Sequence, residues 1–170
     1  GFLFYDCQTD DARLTLVNAL QAHDHGAVIM PHTSLIKAET LDHQWHLTLQ
    51  TASGSTFQIK AKSVINAAGP WVLPVNQLLH LQDTHTLSLV KGSHLVVHKL
   101  YEGEHGYLLQ HDDKRVVFVI PFHGHTLLGT TEQPFSGNLD DIHIEPIEID
   151  YLLALVKRYF NKQLLPSDII

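Results

Sequence analysis

Cysteine, basic side chains and long apolar runs are all scarce in this sequence of 170 residues. Its single cysteine, Cys7, rules out a disulfide framework and fits a reducing compartment. Eleven Lys and Arg residues against eighteen Asp and Glu residues give a formal net charge of −7, which argues against a nucleic-acid-binding protein. No apolar run approaches the roughly 18 residues of a transmembrane helix, which leaves peripheral membrane contact open.

Hydrophobic residues make up 44% of the chain, which is enough for one substantial core or two small lobes. No low-complexity tract occurs, so an ordered protein is predicted. Fourteen histidines outnumber Lys and Arg combined, and the net charge should therefore vary strongly between about pH 5 and 8. We interpret this variation as a surface property.

The first seventy residues have the pattern of part of an α/β nucleotide-binding domain with a meander inserted in it. Residues 10–26 predict a helix that Asp10 or Asp11 caps and that Gly26 ends. Apolar runs at 27–30 and 62–69 predict buried strands, the second one of the parallel type. Three segments between them predict a meander: 33–40, 44–51 and 56–61. Four residues are expected to form the buried face of the helix: Ala12, Leu16, Ala19 and Leu20.

The second half of the chain predicts an antiparallel sheet followed by a strong helix. Four segments with short connections supply the strands: 87–100, 106–111, 114–122 and 125–132. Residues 145–164 predict the helix, with Pro146 in its first turn. Its buried stripe is Ile149, Leu152, Val156 and Phe160. The predicted fold class is mixed α+β and α/β, with domains at 1–75 and 76–170.

Several familiar catalytic motifs are missing. No G-x-G-x-x-G or Walker sequence occurs, so a pyrophosphate-binding loop is not predicted within this chain. No G-x-S-x-G elbow occurs, and Cys7 has no nucleophile signature, so a buried or inert thiol is expected there. The histidine pairs at 23/25 and 123/125 have no third ligand at a characteristic spacing, and no metal site is predicted.

The segment 63–72, SVINAAGPWV, places three small residues directly after an apolar run. Ala67, Ala68 and Gly69 offer almost no side chain, so something can approach the backbone there. Two interpretations stay open. The segment is either a tight packing turn or a strand end that presents main chain to a flat or phosphorylated ligand.

His94 is the most interesting side chain of the second half. It lies in an apolar strand segment, so it is either a hydrogen-bonded structural histidine or a proton acceptor in alcohol oxidation. Thr130 and Thr131 could bind a ligand or simply end a strand. Lys114 and Arg115 could hold a phosphate or be solvated turn charges.

Six segments together resemble one family, the bacterial FAD-dependent, aerobic-type glycerol-3-phosphate dehydrogenases. The resemblance covers essentially the whole chain and implies the fold of the D-amino-acid oxidase-like flavoproteins, in which a Rossmann-like FAD domain accompanies an antiparallel substrate sheet. It implies oxidation of sn-glycerol 3-phosphate to dihydroxyacetone phosphate, with electrons passed to membrane quinone. It also implies a cytoplasmic enzyme bound peripherally to the inner face of the cytoplasmic membrane. The segments are FLFYDCQTDDARLTLVNAL, SVINAAGPWV, LVKGSHLVV, DKRVVFVIPF, LLGTTE and EIDYLLALVKRYF.

The resemblance also implies roles for individual residues. His94 matches the histidine that binds the substrate C2 hydroxyl and assists loss of its proton, and Thr131 is a weaker substrate-binding candidate. Backbone contact with the adenine side of FAD is implied near Ser34 and Leu35. Family members often carry Thr where this sequence has Ala68, which matters little if main chain makes the contact. The turn that lies against FAD contains Ala67, Ala68, Gly69 and Trp71.

The family's N-terminal FAD fingerprint, its phosphate-binding arginines and its C-terminal glycine-rich segment are absent from this sequence. The resemblance therefore implies the central piece of a longer flavoenzyme, folded but inactive by itself. Two alternatives stay open: an amine or amino-acid oxidoreductase of the same superfamily, and a non-catalytic binding domain that borrows the fold. A homodimer is possible, and no nucleic-acid partner is expected.

Overall fold

The computed structural model describes residues 1–82 and 86–170. The chain separates into two compact units, Gly1–Asp83 and Thr84–Ile170. The division of the chain into domains at 1–75 and 76–170 stays a prediction. Within the described ranges, no helix is both long enough and apolar enough to cross a membrane.

The first unit begins with the predicted helix, α1 (Asp11–Asp24). Asp10 caps it, because its carboxylate accepts a hydrogen bond from the Arg13 amide at 2.9 Å. The expectation of a buried apolar face is wrong, since Leu16 and Leu20 are both more than half exposed and no residue of α1 is buried. An apolar stripe becomes a core only when another element covers it, and α1 has no such cover in the described part of the chain.

The predicted meander is present as a three-stranded antiparallel sheet whose strands are paired in chain order. Its strands are β1 (Thr33–Leu41), β2 (Gln44–Thr51) and β3 (Thr56–Ala61), with a bulge between Leu35 and Lys37. A 3₁₀ turn (Gly69–Trp71) leads into a short helix, α2 (Val72–Leu78), which the sequence did not predict. The small core of this unit consists of Ala38, Leu47 and Leu79.

The prediction of buried strands at 27–30 and 62–69 is wrong, because the structure has no strand in either of these two described runs. Apart from the 3₁₀ turn that starts at Gly69, neither run has regular secondary structure, and Val28 and Ile65 are 77% and 90% exposed. A parallel strand exists only when a neighbour satisfies its backbone hydrogen bonds. Neither run pairs with another strand among the described residues, so both runs are irregular although their residues are apolar.

The second unit contains the predicted antiparallel sheet, which has four strands. In a separate two-stranded ribbon, β4 (Leu89–Lys91) pairs with β9 (Gln133–Phe135). The segment 87–100, predicted as one strand, is therefore two strands that belong to different sheets. The terminal segment bridges Ile169 to Val97, beside the sheet. Further 3₁₀ turns lie at Leu139–Asp141 and Pro166–Asp168. The strands of the four-stranded sheet are β5 (His94–Val97), β6 (Tyr107–Gln110), β7 (Val116–Phe122) and β8 (His125–Gly129). They are paired in the order β5-β8-β7-β6.

Helix α3 (Pro146–Phe160) covers one face of this sheet. Its predicted stripe is confirmed, because Leu152 and Val156 are fully buried and Ile149 and Phe160 pack against the same core. Alternate residues of the strands meet the helix, as a sheet with a side-chain period of two requires. The strands contribute Leu95, Val97, Val117, Val119 and Leu128 to this core.

Replacement of Leu152 by alanine tests this core. Leu152 is fully buried, so Leu152→Ala should lower the free energy of unfolding by about 3 kcal/mol through lost burial and the cavity it leaves. Ile147→Ala is the control on the same helix, because Ile147 is 66% exposed and should cost less than about 0.5 kcal/mol. Urea unfolding measures both, and equal losses would contradict the packing described.

Candidate functional site

The turn with small residues is organised by Asn66. Its amide nitrogen donates to the Val72 carbonyl at 2.9 Å and to the Asn76 side-chain oxygen at 2.8 Å. Its amide oxygen accepts from the Ala68 backbone at 3.2 Å. Three bonds from one side chain therefore fix residues 66–76, although sequence reasoning gave Asn66 no role. An Asn at the end of an apolar run is the signal that could have identified it.

The outer surface of this turn is bare main chain. Gly69 has φ +54°, which favours glycine, and a Cβ built there would have no atom within 4 Å. Ala67 is exposed, Ala68 is half-buried, and the Trp71 side chain is 49% exposed. A flat ligand can therefore reach the backbone at this turn without meeting a side chain.

Ser34 and Leu35 lie at the beginning of β1, opposite Gln50 and Leu49 of β2. Ser34 is exposed, whereas Leu35 packs against the small core of the first unit. Val64 and Val75 flank the turn and pack against that same core. The beginning of β1 and the turn are therefore joined through one hydrophobic cluster.

His94 begins β5 and is exposed, directly opposite Gly129 of β8. A Cβ built on Gly129 would overlap the Cδ2, Cγ and Nε2 atoms of the His94 imidazole. The ring therefore lies directly against the glycine backbone. Only glycine permits this approach, since any larger residue would displace the ring. The sequence LLGTT contains this glycine, but the pairing that makes it significant is not visible without the sheet register.

The sheet surface around His94 is apolar although it faces away from α3. We call it the His94 face. Phe118 stands in register with Gly129 and is 50% exposed. A group of partly exposed apolar side chains beside a titratable side chain is typical of a ligand or partner site. The other apolar members of the His94 face are Val96, Leu108, Ile120 and Leu127.

Behind this face lies a buried ion pair between Lys91 and Glu148. The Lys91 ammonium is 2.7 Å from Glu148 Oε2 and also donates to the His143 carbonyl at 3.0 Å. Glu148 Oε1 accepts from the hydroxyls of Ser93 at 2.9 Å and Thr131 at 2.6 Å. The second carboxylate oxygen also caps α3 by accepting from the Glu145 amide.

These donors keep Glu148 ionised inside the protein. Burial alone would raise the pKa of this carboxyl, but hydrogen bonds from Lys91, Thr131, the Glu145 amide and Ser93 outweigh burial and lower it to about 2. The bond to Glu148 likewise raises the pKa of Lys91. The sequence shows Glu148 as an ordinary first-turn acid, and its burial follows only from the packing of α3.

The remaining candidates occupy other environments. Thr131 is 2% exposed and its hydroxyl is bound to Glu148 and to the Ser93 amide. Arg115 pairs with Asp113 and donates to the Glu132 carbonyl, as a turn charge does. Cys7 is exposed rather than buried. In the described ranges, no three or more His, Cys, Asp or Glu side chains are grouped as metal ligands.

Both units have the architecture of flavoprotein dehydrogenases, as one solved structure shows. The glycerol-3-phosphate dehydrogenase from Bacillus halodurans, complexed with FAD, matches with a TM-score of 0.85 and 28% identity over 95% of this chain and 34% of that one. The family model for FAD dependent oxidoreductases matches residues 1–170. The chain belongs to this FAD dependent oxidoreductase family, which confirms the predicted family and mixed fold class.

Several curated relatives match the entire chain, among them two polyol-phosphate dehydrogenases. The glycerol-3-phosphate dehydrogenase of Pseudomonas aeruginosa is 41% identical over 172 residues, and the D-erythritol 1-phosphate dehydrogenase of Brucella abortus is 38% identical over 173. The matched region is 100% of this chain and 34% of each relative. The chain therefore spans about a third of the length of the relatives it matches.

The buried carboxylate gives this chain a defined acid sensitivity. Because the pKa of Glu148 falls from 4.5 to about 2, its ionisation stabilises the fold above pH 4.5, and this contribution is lost as the pH falls through about 2. Glu148→Gln should remove about 3 kcal/mol of stability at neutral pH and flatten the pH dependence in that window. Urea unfolding at several pH values measures both effects. Asp150→Asn, an exposed acid on the same helix, is the control, and equal behaviour of the two variants would refute the assignment.

Proposed function

We propose that the full-length protein containing this chain oxidises sn-glycerol 3-phosphate to dihydroxyacetone phosphate, with FAD as hydride acceptor. One observation carries the proposal. A chain 41% identical to a glycerol-3-phosphate dehydrogenase presents an exposed histidine on an apolar sheet face, held against a glycine backbone. A proton acceptor beside a surface that can exclude water suits the oxidation of an alcohol.

The turn at residues 66–71 fits a flavin cofactor. Its main chain is uncovered at Gly69, and Asn66 holds it rigid from behind, so the cofactor would bind through backbone contacts at Ala67, Ala68 and Gly69. Trp71 adds a flat, half-exposed apolar surface beside it. When bound, FAD supplies the acceptor for the hydride that leaves the substrate carbon.

His94 would bind the C2 hydroxyl of the substrate and accept its proton at a ring nitrogen. The backbone at Gly129 fixes the orientation of the imidazole ring. Less rotational freedom of the side chain is then lost when the reaction takes place. Phe118 and Leu127 lie on the same face and would limit the access of water once substrate and cofactor cover it. We therefore assign His94 as the catalytic residue of this chain.

The phosphate of the substrate would be bound elsewhere in the full-length protein. Arg115 is occupied by Asp113 and Glu132, so this chain offers no free arginine at that turn. We accordingly propose that the chain is inactive on its own.

A second candidate substrate is D-erythritol 1-phosphate, because a relative that acts on it is 38% identical to this chain. Like sn-glycerol 3-phosphate, D-erythritol 1-phosphate is a polyol phosphate.

The electron acceptor and the cellular location of the enzyme are proposed from the family resemblance. We propose that electrons pass to a membrane quinone and that the enzyme binds peripherally to the inner face of the cytoplasmic membrane. Reoxidation of the reduced flavoprotein by a soluble quinone should be faster than by oxygen. Faster reoxidation by oxygen would assign it as an oxidase instead.

The proposal is tested by replacing His94 in the full-length protein. His94→Ala should slow anaerobic flavin reduction by sn-glycerol 3-phosphate about 10²-fold, because the hydroxyl proton loses its acceptor, while bound FAD is unchanged. Stopped-flow absorbance of the flavin measures the rate. His98→Ala is the matched control, since His98 is also exposed and follows the same strand.

Each alternative has its own outcome. An unchanged rate in His94→Ala would make His94 a structural histidine. Faster reduction of the wild type by D-erythritol 1-phosphate would change the substrate, and reduction by glycine or sarcosine would indicate an amine or amino-acid oxidoreductase. A full-length protein without a flavin absorbance band would be a binding domain with a borrowed fold.

The cofactor contact is tested at Gly69. Gly69→Ala should raise the Kd for FAD about tenfold, because its Cβ enters the space against which the cofactor lies. Gly54→Ala is the matched control: Gly54 also has a positive φ and open surroundings, so both changes carry a similar backbone strain of about 1 kcal/mol. Fluorescence titration of the apoprotein measures the Kd, and equal effects at both positions would disprove the contact.

A further inference from the structure

The buried carboxylate of Glu148 has no part in the chemistry proposed above. It is 1% exposed, so a substrate cannot reach it. Two of its hydrogen bonds nevertheless connect it to the segment that carries His94 and to the segment that follows β8. They come from the Ser93 hydroxyl at 2.9 Å and the Thr131 hydroxyl at 2.6 Å.

These two hydroxyl residues bracket the pair formed by His94 and Gly129. Ser93 immediately precedes His94, and Thr131 follows Gly129 by two residues. They are also bonded to each other, since the Ser93 amide donates to the Thr131 hydroxyl at 2.9 Å and the Thr131 amide donates to the Ser93 carbonyl at 3.1 Å. The beginning of β5 and the end of β8 are thus fixed to each other beside the imidazole.

The surrounding backbone leaves little room for an alternative arrangement. A Cβ built on Gly92 would stand 3.1 Å from the Thr131 carbonyl and would overlap the Thr130 side chain. On the other side, the imidazole already lies against Gly129. A change in the separation of the two strands therefore moves the ring of His94.

We propose that Thr131, together with Ser93 and Glu148, positions His94 for proton transfer, so that Thr131 acts through His94 without touching the substrate. This inference rests on the function proposed above. Thr131 itself is buried, and its hydroxyl hydrogen points to Glu148, which leaves it no free donor for a ligand. A misplacement of about 1 Å in a reacting group can cost 10²-fold in rate, so loss of one hydroxyl in this network should have a measurable effect.

The test uses three variants of the full-length protein with FAD bound. Thr131→Val removes the hydroxyl and keeps the shape, whereas Thr131→Ser keeps the hydroxyl. The matched control is Thr126→Val, because Thr126 is as deeply buried as Thr131 and its hydroxyl accepts from the Leu100 amide at 3.1 Å, away from Glu148. Thermal unfolding and FAD content establish how far each variant is destabilised.

Thr131→Val should lower the limiting rate of flavin reduction about tenfold at saturating sn-glycerol 3-phosphate, with little change in the apparent Kd for the substrate. Thr131→Ser should recover the rate to within about threefold of wild type, and Thr126→Val should leave it unchanged. In a His94→Ala background, Thr131→Val should have no further effect, because a residue that acts through His94 has nothing left to position.

Other outcomes overturn the inference. Equal slowing in Thr126→Val would show a general effect of destabilisation. A raised Kd with an unchanged limiting rate would show that Thr131 affects substrate binding, and an additive loss in the His94→Ala background would show that it acts independently of His94. If Thr131→Val loses FAD or solubility, Ser93→Ala replaces it, since it removes one hydroxyl from the same carboxylate, and the same comparisons decide.

The two proposals fail in distinguishable ways. If His94→Ala slows reduction but Thr131→Val does not, only the positioning role is wrong. If His94→Ala leaves the rate unchanged, the catalytic assignment fails first, and the positioning role fails with it.

Discussion

The second unit depends on one ionised carboxylate held away from water. A buried charge is costly unless donors surround it, and Glu148 has four: Lys91, Ser93, Thr131 and the Glu145 amide. These donors come from the end of β4, the β4–β5 connection, the segment after β8 and the N-cap of α3. The helix, the ribbon and the edge of the sheet must therefore all be in place before Glu148 can be buried at a low pKa.

The same constraint determines which side chains the sheet presents outward. Leu95 and Val97 point to α3, so the period of two along β5 sends His94 and Val96 to the opposite face. Because the network holds the beginning of β5 against the end of β8, His94 meets Gly129 and no larger residue. An ion pair on one side of the strand thus supports a candidate proton acceptor on the other.

The candidate site of the first unit is held by the side chain of an asparagine and not by a buried charge. Asn66 satisfies the polar groups of a turn from within, which leaves its outer surface as bare main chain. A rigid backbone suits a large planar cofactor, because little order is lost when it binds. Val64 and Val75 anchor the turn in the core that the meander and α2 form.

The local sequence pattern was sufficient to predict α1, the meander, the antiparallel sheet and α3. Helix caps, hydrophobic periodicity and hairpin turns all depend on residues that are neighbours in the sequence. The local pattern also indicated His94 and the turn at Ala67–Gly69 as candidates. Local pattern failed at 27–30 and 62–69, since a parallel strand needs a partner that apolar composition does not supply. Only the tertiary structure decided that Glu148 is buried, that Thr131 is bound to it and that His94 faces Gly129, because strand register and helix packing bring together residues up to 55 positions apart.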